Sequence, residues 1–405
     1  MAHRDLPRAH RGRAGVLTQS AAGGGAVSED RAAIADDESS ITRIGALDGI
    51  RGLAIILVLV YHYARSAKQL GFESAILSVA NIGWTGVDLF FVLSGFLITG
   101  ILYESRKAAH YFVNFYARRI LRIFPVYYVA ILTVLLLSIV WPEARFLGTH
   151  SLGWIAVYLT NVLMAVESDA AVPRALTHFW SLAVEEHFYL MWPFIVLLGP
   201  RRVLMAVAAG FIALGLGLRV ASHLTGLLDA WDLFLLTPTR MDGLAVGALC
   251  ALAVRGPDGI AAVVRPAWVA ALGGGAGLLI MLALTRTSSQ IDPAMQLIGY
   301  TLLAVTFGGF LVVGISWRPL NFILNLKILT WFGRYSYGMY VWHQVVNAVF
   351  FFSPMTAVIV AQGPAVQVPY FLAAVATGLV VTLVSYHFWE VPFLHLKKHF
   401  RSRVA

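Results

Sequence analysis

Residues 47–63 read LDGIRGLAIILVLVYHY. The stretch is apolar enough to enter a bilayer, yet it carries Asp48, Arg51 and His62. Ionisable groups in hydrocarbon are costly and persist where they are paired or line a polar cavity. Arg51 and His62 are eleven positions apart. At about 100° per residue that is close to three full turns, so both lie on nearly one face, roughly 16 Å apart along the axis. Such a helix reads as one wall of a site that spans depth, one end suited to an anion and the other to moving a proton.

The rest of the chain agrees with a membrane setting. Of 405 residues, 59% are hydrophobic and only 13% charged, against about 25% charged in soluble domains. The expected fold class is therefore all-α, a polytopic integral membrane protein. The single Cys250 sits in the apolar run GLAVGALCALAV. It cannot form an internal disulfide and reads as a small core hydrophobe. No Cys and His spacing suggests a metal. The net charge of +9 is scattered through short loops, as cytoplasmic loops of membrane proteins are, so nucleic acid is not an expected partner.

Residues 1–43 are polar and lack an apolar signal-peptide core; they read as a disordered cytoplasmic tail. Ten segments qualify as spans on length and apolarity: 45–64, 83–103, 123–141, 179–198, 203–221, 238–254, 267–284, 297–315, 329–352 and 369–391. The weakest is 238–254, which is short and carries Arg240 and Asp242. Segment 151–166 is too short and polar for a span and is read as re-entrant or interfacial. With it uncrossed, the basic clusters at 106–122, 201–202, 255–265, 318–327 and 397–403 fall on one side, together with both termini. That side is the cytoplasm. The loops 222–237 and 353–368, which hold no Lys or Arg, fall outside. Residues 396–405 form a short basic tail. No internal repeat is visible, unlike many transporters.

Several residues carry possible chemistry. His62 is a candidate base for a hydroxyl. In HFWSLAVEEHFYLMWP (178–193), His178, Glu185 and Tyr189 share a helix face. Glu185 and Glu186 point about 100° apart, so at most one of them is expected to face the cavity of His178, where a carboxylate could orient a histidine. In YARRILRIFPVYY (116–128), Arg118 and Arg122 share a face, with Arg119 beside them; arginine forks suit phosphate oxygens. In GRYSYGMYVWHQ (333–344), Ser336, Tyr340 and His343 form a polar stripe, equally readable as a cavity lining or as helix–helix hydrogen bonding. Asp88 and Ser94 are the polar members of span two; Ser94 has no visible paired base and is a weak candidate nucleophile.

These blocks, in this order, resemble the acyltransferase-3 family of membrane-bound acyltransferases. The match covers most of residues 44–395 and includes LDGIRGLAIILVLVYH, GVDLFFVLSGFLIT, FYARRILRIFPVYY, YLTN, HFWSLAVEEHFYLMWP, TRMDGLAVGAL, RYSYGMYVWHQ and SYHFWEVPF. Any one block is weak evidence; eight in register are specific. The resemblance implies a ten-span enzyme that moves an acyl group, usually acetyl, from cytoplasmic acetyl-CoA to a hydroxyl on a glycan, lipid-linked sugar or small natural product. It places the family's first-span Arg and His on Arg51 and His62, its basic third-span entry on Arg118, Arg119 and Arg122, and its Ser and paired Glu motif on Ser181, Glu185 and Glu186. His187 stands where the family commonly has Gln, which leaves His178 and His187 as rivals. The fused hydrolase-like periplasmic domain of some members is expected to be missing.

The reading is a cell-membrane O-acyltransferase with acyl-CoA as donor, a sugar-containing acceptor such as surface polysaccharide, and no permanently bound cofactor or metal. His62, Arg51, Glu185 and His178 are the catalytic candidates, Arg118, Arg119 and Arg122 the donor-binding ones, and Ser336, Tyr340 and His343 the substrate-binding ones. Acyl transfer needs a base, cationic or dipolar groups for the thioester and phosphates, and a dry site. The rival is a transporter or flippase of a glycan or lipid-linked intermediate, which intramembrane charges would also fit. Label transfer from acetyl-CoA separates the two.

Overall fold

A computed structural model describes residues 45–72, 79–141, 151–351 and 355–400; the expected tail at 1–43 and the last five residues of the C-terminal tail lie outside this set. Among the described residues every element is helical. Eight helices are long and apolar enough to cross a membrane, or nine if the bent pair 327–351 and 355–361 is one span. These two are α14 (Lys327–Phe351) and α15 (Met355–Ala361). The expected span at 238–254 is shorter than anticipated. Its helix α10 covers Asp242–Val254 only, about 20 Å of rise. It is preceded by two short helices, α8 (Ala230–Leu235) and α9 (Thr237–Arg240). The break falls where Arg240 and Asp242 are bonded sideways, as described below.

Helix α1 (Gly45–Gln69) makes its most extensive contact with α14, and α2 (Gly86–Ser105) with α10. The α1–α14 pair has a definite cause in sequence. A methyl group on Gly52 would collide with the carbonyl oxygen of Leu329, and one on Gly333 with that of Asp48. Small residues let membrane helices approach backbone to backbone. The two helices run in the same direction, since Gly52 meets Leu329 near their N-terminal ends and His62 meets His343 further along both. The first and penultimate long segments of the chain therefore form one central unit.

The segment expected to be re-entrant is two helices, α4 (Ser151–Ala156) and α5 (Thr160–Glu167). The longer has eight residues, about 12 Å, too little to cross as a helix. Tyr158 between them holds φ at 59°, an uncommon conformation for a bulky residue that surrounding packing must enforce. The enforcement comes from α3 (Tyr111–Val140). The Tyr158 ring stacks on Tyr127 at 4.2 Å and on Phe124 at 5.5 Å. The hydroxyls of Tyr127 and Tyr128 donate to the carbonyls of Ile155 and Ala156 at 2.5 and 2.9 Å. Those carbonyls end α4, where intrahelical partners run out; the Ile155 carbonyl also accepts from the Tyr158 N–H at 3.0 Å.

Helix α6 (Phe179–Leu198) enters from the loop after α5, and α7 (Arg201–Thr225) follows it directly. Two further long helices, α11 (Ala261–Thr285) and α12 (Tyr300–Ser316), pack on each other and are joined across the short α13 (Arg318–Leu324) to α14. The expected outer loop at 353–368 contains α15 and the first turn of α16 (Pro364–Ser385). A turn of π-helix, Tyr386–Glu390, continues α16 into α17 (Val391–Leu396).

Candidate active site

Three histidine rings meet where α1, α14 and the start of α6 converge. His62 Nδ1 lies 3.2 Å from His343 Nε2, and the His178 and His343 ring centres are 5.0 Å apart. The surrounding carbonyls assign the tautomers. His343 Nδ1 is 3.0 Å from the Met339 carbonyl oxygen, so it carries the proton and leaves Nε2 as a lone pair. His62 Nδ1 faces that lone pair and also the Val58 carbonyl oxygen at 3.0 Å. Both are acceptors, so Nδ1 must be the N–H of His62, and its Nε2 is left with the lone pair. That is the atom a general base requires. His62 is half-buried, so a ligand can reach it. Among the described residues no group of three or more His, Cys, Asp or Glu is placed to hold a metal ion.

Tyr340 ties this cluster to α6. Its hydroxyl donates to the His178 carbonyl at 2.8 Å and shares a 2.5 Å hydrogen bond with Ser181 Oγ. Among the described residues neither nitrogen of the buried His178 ring has a partner in full hydrogen-bond geometry, although the Tyr340 and Val341 backbone lies beside it. A buried imidazole without full partners is unfavourable, and here it faces the site.

One turn beyond Ser181 stands Glu185. Ser94 on α2 donates to its Oε1 at 2.8 Å, and Tyr189 to its Oε2 at 3.1 Å. Both carboxylate oxygens are thus engaged, so Glu185 does not orient His178 as the shared helix face suggested. Seven residues of helix separate the two by about 10 Å. Ser94 acts here as a donor to Glu185. The guanidinium of Arg119 lies over the Tyr189 ring at 4.7 Å, and the charges of Arg119 and Arg122 both reach Glu185. Arg119 and Arg122 are thus members of the basic group of α3 that act on α6 at Tyr189 and Glu185.

The polar groups form two linked sets one helical turn apart on α6, His62, His343, Tyr340 and Ser181 on one side and Glu185, Tyr189 and Arg119 on the other, referred to together as the polar row. Arg51 stands apart from it. Its guanidinium pairs with Asp48 at 2.5 Å, one turn toward the N-terminus of α1. The structure thus keeps Arg51 and His62 on one helix but does not bring them together. Ser336 is buried one turn before Tyr340. His187 is separated from His178: its Nδ1 bonds Thr237 Oγ1 at 2.7 Å, which anchors the start of α9. Of the two, His178 is the one that lies beside His343.

A second polar cluster was only partly legible. Arg240 donates to Asp88 at 2.8 Å, and Arg219 to Asp242 at 3.0 Å. All four side chains are buried. Arg219 also donates to Thr301 Oγ1 at 2.8 Å, and Arg240 sits 3.8 Å from the centre of the Tyr300 ring. The sequence signal was the presence of ionisable residues in otherwise apolar segments; the pairing needed three dimensions.

An all-α bundle of membrane-span helices that gathers a histidine cluster, a carboxylate network and arginines has the makings of an enzyme site in the membrane. The chain belongs to the acyltransferase-3 family, whose model for the acyltransferase domain matches residues 44–390. It is 30% identical over 386 residues to the peptidoglycan O-acetyltransferase OatA of Listeria monocytogenes, an alignment covering 89% of this chain and 58% of that protein. It is 26% identical to the O-acetyltransferase OatA of Staphylococcus aureus, over 88% of this chain and 58% of the relative. The chain thus spans a little over half the length of these curated relatives. No solved structure matches it.

Proposed function

We propose that this chain is a membrane O-acetyltransferase that moves an acetyl group from acetyl-CoA to a hydroxyl of a glycan, with peptidoglycan and its precursors the leading acceptors. The observation that carries the reading is the free Nε2 of His62, set by the His343 and Val58 contacts. In the proposed step, Nε2 takes the proton from the acceptor hydroxyl as its oxygen attacks the thioester carbonyl. The new C–O ester bond forms, the C–S bond breaks, and the CoA thiolate recovers the proton from His62. The imidazolium formed in between is held by its Nδ1–H on the Val58 carbonyl and His343 Nε2. Bonds of this kind to a charged donor are stronger than neutral ones.

In this reading Arg118, Arg119 and Arg122 receive the phosphates of CoA at the basic, cytoplasmic face, and both termini lie on that side. Arg51, bound to Asp48, supplies a second cationic point at the same end of α1. The naming of the relatives as peptidoglycan and general O-acetyltransferases supports a glycan acceptor. The test uses purified protein in proteoliposomes with radiolabelled acetyl-CoA and wall-glycan fragments. Label should move to the glycan as an alkali-labile ester and should fail to move with His62→Ala. Glycan crossing the bilayer without any ester formed would establish the transporter reading instead.

A further inference from the structure

The segment SYHFWEVPF (385–393) sets one carboxylate among aromatic residues, and neither the ion pairs nor the polar row uses it. The backbone takes a π turn over Tyr386–Glu390. Such a turn inserts one residue into the helical register and recurs at functional sites. In this register Phe388 faces outward, 79% exposed, while Glu390 two residues on is buried. A methyl group on Gly338 of α14 would stand 2.8 Å from Glu390 Oε1, so a side chain has no room there. Among the described residues that oxygen accepts no hydrogen bond. Beside Glu390 on the π turn, Trp389 Nε1 donates to the Pro125 carbonyl of α3 at 2.9 Å. Beside Gly338 on α14, the Tyr337 hydroxyl donates to the Ile123 carbonyl of α3 at 2.7 Å. These two bonds fix Glu390 against the turn of α3 that begins with Arg122, and the charge of Arg122 acts on it. Burying a carboxylate is costly unless a cation offsets it.

We propose that Glu390 is a positioning residue for the donor: it holds the Arg122 guanidinium in the orientation that receives a CoA phosphate, and the π turn is the clasp that keeps the carboxylate in place. The proposal rests on the acetyltransferase reading and deepens it at the donor end. A guanidinium carries five N–H donors in one rigid plane, so a carboxylate at one edge can fix that plane and leave the other edge for phosphate oxygens. The charge of Arg122 reaches two carboxylates, Glu185 and Glu390. Glu185 has both oxygens engaged by Ser94 and Tyr189, so of the two it is Glu390 that has an oxygen to spare. A carboxylate could also weaken an anion site by cancelling its positive charge. The two roles give opposite signs on donor binding.

The test uses the full chain in nanodiscs with wall-glycan fragments as acceptor and two donors, acetyl-CoA and S-acetylpantetheine. The second keeps the thioester arm and carries no phosphate. Glu390→Gln preserves shape and removes the charge. It should raise the KM for acetyl-CoA by roughly five-fold at nearly unchanged kcat, as the loss of one ion-pair contact in the ground state does. Its kcat/KM for S-acetylpantetheine should match wild type. Glu390→Asp keeps the charge and should restore most of the affinity. Arg122→Gln should show the same donor dependence, and Arg122→Gln with Glu390→Gln should be no worse than Arg122→Gln alone, because the effect runs through that guanidinium. Radiolabelled CoA, bound to the same discs without turnover, should rank the proteins in the same order.

A KM for acetyl-CoA that is unchanged or lowered in Glu390→Gln would overturn the proposal; a lowered one would make Glu390 a brake on the anion site. Equal losses with the two donors would also overturn it and mark a purely structural role, as would additive losses in the double variant. If no acetyl group is transferred while labelled CoA still binds in the expected order, the acetyltransferase reading fails and the positioning role stands. If wild-type protein binds no CoA, both fall.

Discussion

Replacing His62 with alanine removes the free Nε2 while leaving its helix packed through Gly52 and Gly333. Acetyl transfer should fall by about 10²–10⁴-fold, the usual contribution of a general base, with insertion and thermal stability close to wild type. Near-normal turnover would make His62 structural and pass the role to His178, whose ring nitrogens have no partner in full hydrogen-bond geometry among the described residues. His343→Phe keeps ring volume and removes the acceptor facing His62 Nδ1. It should lower kcat with little change in KM for either substrate, because a positioning contact serves the reacting state more than binding; a purely structural role would show as lost stability at unchanged kcat. The spacing of Arg51 and His62 on one helix was legible in sequence. The partner of His62 was not, because His343 lies 281 residues away and only the fold brings the two helices together.

At the level of elements, α3 carries two separable features. Its basic face offers the clearest binding test. Arg118→Gln combined with Arg122→Gln should raise the KM for acetyl-CoA several-fold more than it lowers kcat, since ground-state contacts are what is removed. An unchanged KM in correctly inserted protein would move the CoA site elsewhere. Further along, Tyr127→Phe deletes the hydrogen bond to the Ile155 carbonyl. It should destabilise by about 1 kcal/mol, read as a lower thermal midpoint in detergent. The broken helix at 151–167 was foreseeable from its polarity and length. What holds it was not, since aromatic stacking across two segments leaves no periodicity. The span at 238–254 was placed within a few residues, but its shortening to Asp242–Val254 follows from ion pairs that a one-dimensional reading does not resolve.

For the molecule as a whole, the two buried ion pairs tie α2 to α9 and α7 to α10. Arg240→Ala leaves Asp88 charged and buried, and one-sided removal of a buried pair costs about 3–5 kcal/mol. Asp88→Ala with Arg240→Ala should recover much of that loss, because the unpaired charge is gone. A double variant as unstable as the single one would mean that the Arg240 guanidinium against the Tyr300 and Phe234 rings, more than its pairing with Asp88, holds this region. The membrane class and family were readable from composition and eight motifs. The separation of the polar row from the ionic core was not, since both draw on the same rare residue types in the same spans.

The two buried pairs also bear on how the chain is made. Asp88 emerges from the ribosome 152 residues before Arg240, and Arg219 precedes Asp242 by 23. For that interval two helices wait in or beside the translocon, each with a lone charge of opposite sign. The turn between α9 and α10 then delivers the complementary cation and anion two residues apart, and both debts of charge are cancelled together. Both pairs can close only once residues 240–242 have been made, so a nascent chain stalled before residue 240 is expected to be cut more readily by added protease than one stalled well after residue 242.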